Sequence, residues 1–209
     1  MIQKCLIASR GEIAVRIIRA CKDMGIKTVA IYSTVDKSAL HVELADESVC
    51  VGEANSKDSY LNINNILSAA LSTGADAIHP GFGFLAENAS FARLVNACGL
   101  IFIGPQADVI YLMGNKINAR NAMHKAGVPI IPGSLEPIKS PEEGLKQAQS
   151  IGYPIILKAA AGGGGKGIRM IDNDESFIQA FNVLRQEAKN YFNDDSLYME
   201  KLFVNAKHI

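Results

Sequence analysis

The stretch Tyr153-Pro-Ile-Ile-Leu-Lys-Ala-Ala-Ala-Gly-Gly-Gly-Gly-Lys-Gly-Ile-Arg-Met-Ile171 sets the run Gly162 to Gly167 between two apolar segments. Tyr153 to Lys158 and Ile168 to Ile171 have the length and composition of strands, so the chain should pass strand, loop, strand. Consecutive glycines reach positive φ without penalty and let neighbouring amides converge on one point. Lys158 and Lys166 add positive charge, and the combination suits a polyphosphate. The loop reads as a flap over a nucleotide; the alternative is an ordinary Gly-rich hairpin turn.

Three familiar phosphate motifs do not fit. Gly162, Gly164 and Gly167 satisfy G-x-G-x-x-G in form, but the dinucleotide fingerprint runs from a strand into a helix whose N-terminus holds the pyrophosphate, and here a strand follows. A Walker A loop needs glycine where Ala160 stands and Ser or Thr where Gly167 stands. A kinase-type loop also joins two strands, but the accompanying catalytic-loop and Asp-Phe-Gly signatures do not occur in this sequence.

The balance of 21 basic and 21 acidic residues gives no global field for nucleic acid or an anionic membrane, so an anion site has to be local. The 209 residues fit one large or two small domains, and 48% hydrophobic content is ample for a buried core. Cys5, Cys21, Cys50 and Cys98 form no C-x-x-C pair and sit in apolar stretches, which reads as buried thiols in a reducing cytoplasm. The N-terminus has too short an apolar run for a signal peptide, and no stretch is long enough for a membrane span.

Outward from the loop, the first hundred residues alternate short apolar strands with amphipathic helices, the pattern of a parallel sheet covered by helices. Cys5 to Ala8, Thr28 to Tyr32, Ser48 to Val51, Ala75 to His79 and Leu100 to Ile103 are expected strands. Ile13, Ile17, Ala20, Cys21 and Met24 share one helical face, as do Ile63, Ile66, Leu67, Ala70 and Leu71 after an Asn62 cap, and Phe91, Leu94, Val95 and Cys98. Residues 107 to 126 read as helical up to Gly127 and Pro129. Ser140-Pro141-Glu142-Glu143 combines an N-cap, a first-turn proline and a capping-box glutamate, and opens a helix to about Ile151. Asp174 is expected to cap a helix carrying Phe177, Ala180, Phe181 and Leu184, and Leu197 to Phe203 a last strand. The chain stops at Lys207-His208-Ile209 directly after that strand and is expected to be cut short.

Of the lysines at 116, 158, 166 and 201, Lys158 stands out because it ends an apolar strand, on the face of Ile156 and opposite Leu157. A sheltered ammonium needs an anionic partner, and the adjacent amide-rich loop makes phosphate the natural candidate. His79-Pro-Gly-Phe-Gly-Phe-Leu-Ala-Glu-Asn88 lies at the carboxyl end of an expected parallel strand, where open α/β sheets place ligands. There Gly81 and Gly83 permit either close backbone approach or a tight turn. Arg10-Gly11-Glu12 has the same ambiguity after strand one. His41 and His124 belong to no pattern, and no His/Cys cluster has metal-ligand spacing.

Taken in order, Ile7-Ala-Ser-Arg-Gly-Glu-Ile13, His79 to Asn88, Met113-Gly-Asn-Lys116, Lys158 with its glycine loop, and Tyr198-Met-Glu-Lys201 followed by His208 resemble the N-terminal half of the biotin carboxylases, including those of acetyl-CoA, pyruvate and propionyl-CoA carboxylases. The resemblance covers the whole chain. It implies an α/β architecture: a Rossmann-like parallel-sheet domain at residues 1–105, a helical connector at 106–129, the small α+β lid subdomain of an ATP-grasp fold at 130–203, and at 204–209 the start of the large subdomain. It implies that Lys116 and Lys158 bind ATP phosphates, that Gly162, Gly163, Gly164 and Gly165 close over them, that Glu200, Lys201, Leu202 and Phe203 form the adenine-binding edge, and that His208 approaches the nucleoside.

By the same resemblance the chemistry is activation of bicarbonate by MgATP to carboxyphosphate, then carboxylation of biotin. The implied cofactors are ATP and Mg²⁺, with biotin as carboxyl acceptor. The implied partners are biotin or a biotinylated carrier protein, a carboxyltransferase and a second copy of the chain. Family members carry the metal-binding glutamates, the bicarbonate-binding basic residues and the biotin-assisting arginine beyond position 209, so this chain is expected to hold no catalytic residue and to be inactive alone. It departs from the usual pattern at Phe82 and Ala86, where Tyr and Ser are commoner, at Ser9 for Asn, and at Asn115 for Asp. A non-catalytic nucleotide-binding or interaction module is the competing expectation; a nicotinamide dehydrogenase is disfavoured by the strand after the loop.

Overall fold

The computed structural model describes residues 1–160 and 167–207. The chain divides into two compact units, Met1–Tyr111 and Leu112–Ile209.

The first unit runs β1 (Lys4–Ile7), α1 (Gly11–Asp23), β2 (Lys27–Ser33), a 3₁₀ turn (Thr34–Asp36), α2 (Leu40–Leu44), β3 (Glu47–Gly52), a second 3₁₀ turn (Ser56–Asp58), α3 (Ile63–Ser72), β4 (Ala77–His79), α4 (Ala89–Ala97) and β5 (Ile101–Phe102). All strand pairs are parallel, in the order β3-β2-β1-β4-β5. Helices cover both faces, which is why the central strands are apolar at consecutive positions. Leu6, Val29, Ile31 and Ile78 face α3 and α4, with Phe91 edge-on to Phe102, while Cys5 and Ile7 face Ala14, Ile17 and Ile18 of α1. The chain builds outward from β1 to β3 and then returns to β4, so the order reverses between β1 and β4. Loops leaving the carboxyl ends of such neighbours diverge and leave a crevice.

From α5 (Ala107–Gly114) the chain continues into α6 (Lys116–Lys125), α7 (Pro141–Ile151), β6 (Ile155–Ala159), β7 (Ile168–Ile171), α8 (Asp174–Phe192) and β8 (Leu197–Lys201). The second unit's sheet is antiparallel with order β7-β6-β8. Ile155, Leu157, Ala159, Leu197 and Met199 turn one face of it onto Phe177, Phe181 and Leu184 of α8 and Ala148 of α7. As expected from alternation, Ile156 and Lys158 occupy the opposite, half-buried face.

Three local expectations are corrected. The 107–126 segment is helical as expected but in two pieces: Asn115 leaves the helical region at φ −98°, ψ 119° and its side chain accepts from the amides of Ile117 and Asn118, so a second helix starts at Lys116. A short amide side chain competing for backbone donors favours such a cap over continuation. The cap of α8 is Asn173, in a reciprocal box with Ser176; Asp174 lies one residue inside and receives Gln149 and the Tyr153 hydroxyl instead. Of the cysteines, Cys5 and Cys21 are buried, but Cys50 on the edge strand β3 and Cys98 after α4 are exposed. Burial, then the neighbouring Cys21, pushes the Cys5 thiol up to about 12, so it is inert.

Candidate nucleotide-binding site

The open face of the second sheet carries Lys158, the lysine that stands out in the sequence. In the β6–β8 register Lys158 lies opposite Tyr198 and Ile156 opposite Glu200, which makes Glu200 the diagonal neighbour of Lys158 on one face. The Lys158 ammonium bonds the Glu200 carboxylate and sits 5.9 Å from the centroid of the Tyr198 ring. Tyr198 is itself buried. Desolvation, followed by the charge of Glu200, pushes its hydroxyl up to about 12, so it stays neutral beneath the cation.

The other Glu200 oxygen accepts from Arg120 Nη1 at 2.7 Å, and Arg120 Nη2 donates to the carbonyl of Ile131 at 2.7 Å. Among the described residues two cations thus share one carboxylate, and the local excess of positive charge fits a phosphate. Nothing in the sequence patterns singles out Arg120. Its one available signal is spacing, since it follows Lys116 by four positions and lies on the same helical face.

Lys201 holds backbone rather than a charge: its ammonium donates to the carbonyls of Gly152 and Tyr153 at 2.9 and 2.8 Å, tying β8 to the turn before β6. Its amide bonds Pro132, and that of Leu202 bonds Pro154, so the chain leaving β8 is held on both sides while Phe203 stays exposed. Gly133 bridges to Glu200, and a Cβ there would lie 2.3 Å from the Met199 carbonyl and 3.0 Å from Arg120 Nη2. Lys116 opens α6. Gly162, Gly163, Gly164, Gly165, Lys166 and His208 lie outside the described residues.

In the first unit, the segments leaving the carboxyl ends of β1, β2 and β3 carry a second polar cluster. Arg10 places Nε 2.8 Å and Nη2 2.6 Å from the two oxygens of Asp36, which also accepts from the Tyr60 hydroxyl at 2.6 Å and from Ser33 Oγ at 3.1 Å. The hydrogen bonds from Arg10 above all hold the Asp36 carboxyl well below the usual carboxylate range, against a desolvation that opposes them. The Tyr60 ring stacks on Phe84 at 5.2 Å. This cluster resolves the ambiguity at Arg10: the side chain is committed to Asp36.

The two glycines after His79 also separate. At Gly81, φ is +72° and a Cβ would fall 2.4 Å from Ser9 Cβ, so close packing of two loops requires it. At Gly83 φ is +72° with open space around it, so only the turn does. His79 Nδ1 accepts from the Gly81 amide at 3.0 Å, which leaves the proton on Nε2, and burial holds the ring below its usual pKa. Among the described residues no three His, Cys, Asp or Glu side chains converge on a possible metal position. Nor is any described helix long and apolar enough to cross a membrane.

Comparison with known proteins adds three findings. Residues 1–110 match the model of the biotin carboxylase N-terminal domain, and residues 115–209 that of the carbamoyl-phosphate synthase L chain ATP-binding domain. The chain is 55% identical over 209 residues to biotin carboxylase 1 of Bacillus subtilis and 54% identical over 210 residues to the biotin carboxylase of Haemophilus influenzae; it is covered completely in both alignments but spans only 46% and 47% of those proteins, about half their length. Among solved structures it superposes with TM-score 0.93 and 46% identity on a biotin carboxylase–βγ-ATP complex from Campylobacter jejuni, and with TM-score 0.91 and 49% identity on the biotin carboxylase domain dimer of Hydrogenobacter thermophilus 2-oxoglutarate carboxylase bound to MgADP, ADP and bicarbonate. Each covers 98% of this chain, which in turn covers 46% and 45% of those chains.

Proposed function

The chain belongs to the biotin carboxylase family, and on that premise we propose that it supplies the N-terminal and nucleotide-clamping portion of an ATP-dependent biotin carboxylase acting in the cytoplasm. The observation that carries the reading is Lys158, with Arg120, around the single carboxylate of Glu200 on the open face of β6 and β8. In the proposed division, residues 1–105 form the N-terminal domain, 106–129 the connector, 130–203 the ATP-grasp lid and 204–209 the start of the large subdomain. ATP supplies the phosphoryl group that converts bicarbonate to carboxyphosphate, the carboxyl donor to biotin or a biotinylated carrier. A carboxyltransferase and a second copy of the chain are the further partners in this reading.

Within it, Lys158 and Lys116 bind the phosphates, Gly162, Gly163, Gly164 and Gly165 cover them, and the backbone of Glu200, Lys201, Leu202 and Phe203 borders the adenine, with His208 beside the nucleoside. The Lys201 ammonium contributes indirectly, by fixing the β8 end against β6 through two carbonyls. The charges around Glu200 suit the phosphates of the nucleotide, and among the described residues no three His, Cys, Asp or Glu side chains converge on a metal position; in this reading Mg²⁺ arrives with ATP.

Calorimetric titration of the purified 209-residue chain with MgATP tests this. Weak binding is expected, because polar contacts come from one wall of the site, and Lys158→Met is expected to weaken it roughly tenfold or more, the worth of one charge-assisted hydrogen bond. No bicarbonate- and biotin-dependent ATP turnover is expected from these residues alone, since phosphoryl transfer depends on electrostatic positioning by more groups than they provide. Undetectable MgATP binding, or equal affinity in Lys158→Met, refutes the nucleotide assignment.

A further inference from the structure

Arg120 belongs to none of the motifs, yet its side chain is only 10% exposed, and that of Glu200 only 12%. Charged groups are sheltered to this extent when other groups hold them in place. The carboxylate bridges two cations, with Arg120 on Oε1 and Lys158 on Oε2. The second Arg120 amine is pinned to Ile131, and the missing Cβ of Gly133 makes room for that approach.

We propose that Arg120 is a positioning residue for Lys158, acting through Glu200: it retains the carboxylate while the lysine passes from Glu200 to an incoming phosphate. The inference rests on the reading of Lys158 as a phosphate ligand. A carboxylate with one cationic partner concentrates its attraction on that partner. A guanidinium on the other oxygen draws off part of that charge and loosens the grip. When the lysine departs, Arg120 also keeps a sheltered carboxylate from being left unpaired, an outcome that is costly for a buried ion. Tyr198 under the ammonium offers an uncharged surface along which it can shift.

The test is acetylation of Lys158 in the full chain by acetic anhydride, followed by peptide mass spectrometry, with and without MgATP. A lysine nitrogen held against a carboxylate is shielded from the reagent, and one released from it is open to acylation. Without nucleotide, Glu200→Gln is expected to label roughly three- to tenfold faster than the parent chain and Arg120→Met slower by a similar factor, with the double variant matching Glu200→Gln. Arg120→Lys, which keeps the charge, should recover part of the parent rate. General loosening of the fold would instead accelerate labelling in both single variants; that result, or an unchanged rate in Arg120→Met, overturns the proposal. MgATP protection reports separately on the nucleotide reading. Opposite-signed variant effects without protection retain the relay and remove its phosphate, whereas protection with same-signed effects does the reverse.

Discussion

Asp36→Ala is expected to destabilise the Met1–Tyr111 unit by about 3 kcal/mol, read as lost protection of its amides in hydrogen exchange or as a lower urea midpoint. Asp36 is the shared acceptor of Arg10, Tyr60 and Ser33. Removing it leaves a buried tyrosine hydroxyl and a buried serine without their acceptor, each worth about 1–3 kcal/mol. The cost stays below that of a fully buried ion pair because the Arg10 side chain, 48% exposed, can turn to water. Asp36→Asn keeps an acceptor but not the charge and should cost about half as much.

The same site gives the sign of an acid transition. The folded-state carboxyl of Asp36 titrates below its unfolded counterpart, chiefly because of Arg10. Its stabilisation is therefore complete above the unfolded value of about 4 and is lost progressively as the pH falls below it. Asp46, lowered by its bonds to Thr28, adds loss in the same direction. Asp36→Ala should flatten the fall in stability below about pH 4. An acid limb as steep as that of the parent chain would show that Asp36 does not carry it.

Phe177→Ala carries the second large effect, about 3–5 kcal/mol on the second unit, from lost transfer energy and the cavity that remains. The ring is fully buried with Phe181 at 5.8 Å, and it presses on α7 at a helical glycine: a Cβ on Gly144 would meet its Cζ at 2.4 Å. Glycine inside a helix costs about 1 kcal/mol relative to alanine, and here the ring occupies the space that a side chain would take. Gly144→Ala alone should therefore destabilise by overpacking, whereas in the Phe177→Ala background it should partly fill the cavity. A double variant as unstable as the two single effects added together would refute this packing. Because Ile155, Leu157 and Met199 rest on the same cluster, the β6–β8 register that presents Lys158 to Glu200 depends on that ring, and MgATP affinity should fall with stability.

The legible parts of the molecule are those written in short repeats. Consecutive apolar residues at Cys5–Ile7 and Val29–Ile31 announce strands buried on both faces, and the spacing of Ile13, Ile17 and Cys21 announces the helix against them. Alternation alone puts Lys158 on the half-buried face of β6. Expectation and structure part where neighbouring polar residues compete for the same backbone amides: Asn173 takes the cap expected of Asp174, and Asn115 splits the helical segment expected over 107–126 in two. The expectation of a buried thiol fails at Cys50 because apolar neighbours do not reveal which strand will lie at the edge of a sheet.

By itself the sequence determined the class of each half, a parallel sheet under helices followed by a strand–glycine loop–strand unit, and through its ordered motifs the family. Those properties follow from side-chain periodicity and backbone freedom over a few residues. The tertiary structure alone decided what the charges do. Arg10 is taken by Asp36, 26 positions away, and Glu200 is held by Arg120 from 80 positions away as well as by Lys158. Such pairs form when strand register and crossover topology bring distant segments together, and no local repeat encodes that meeting. The glycine loop was thus recognisable as a phosphate candidate from its own residues, while the arginine behind its lysine became visible only once β8 was paired with β6.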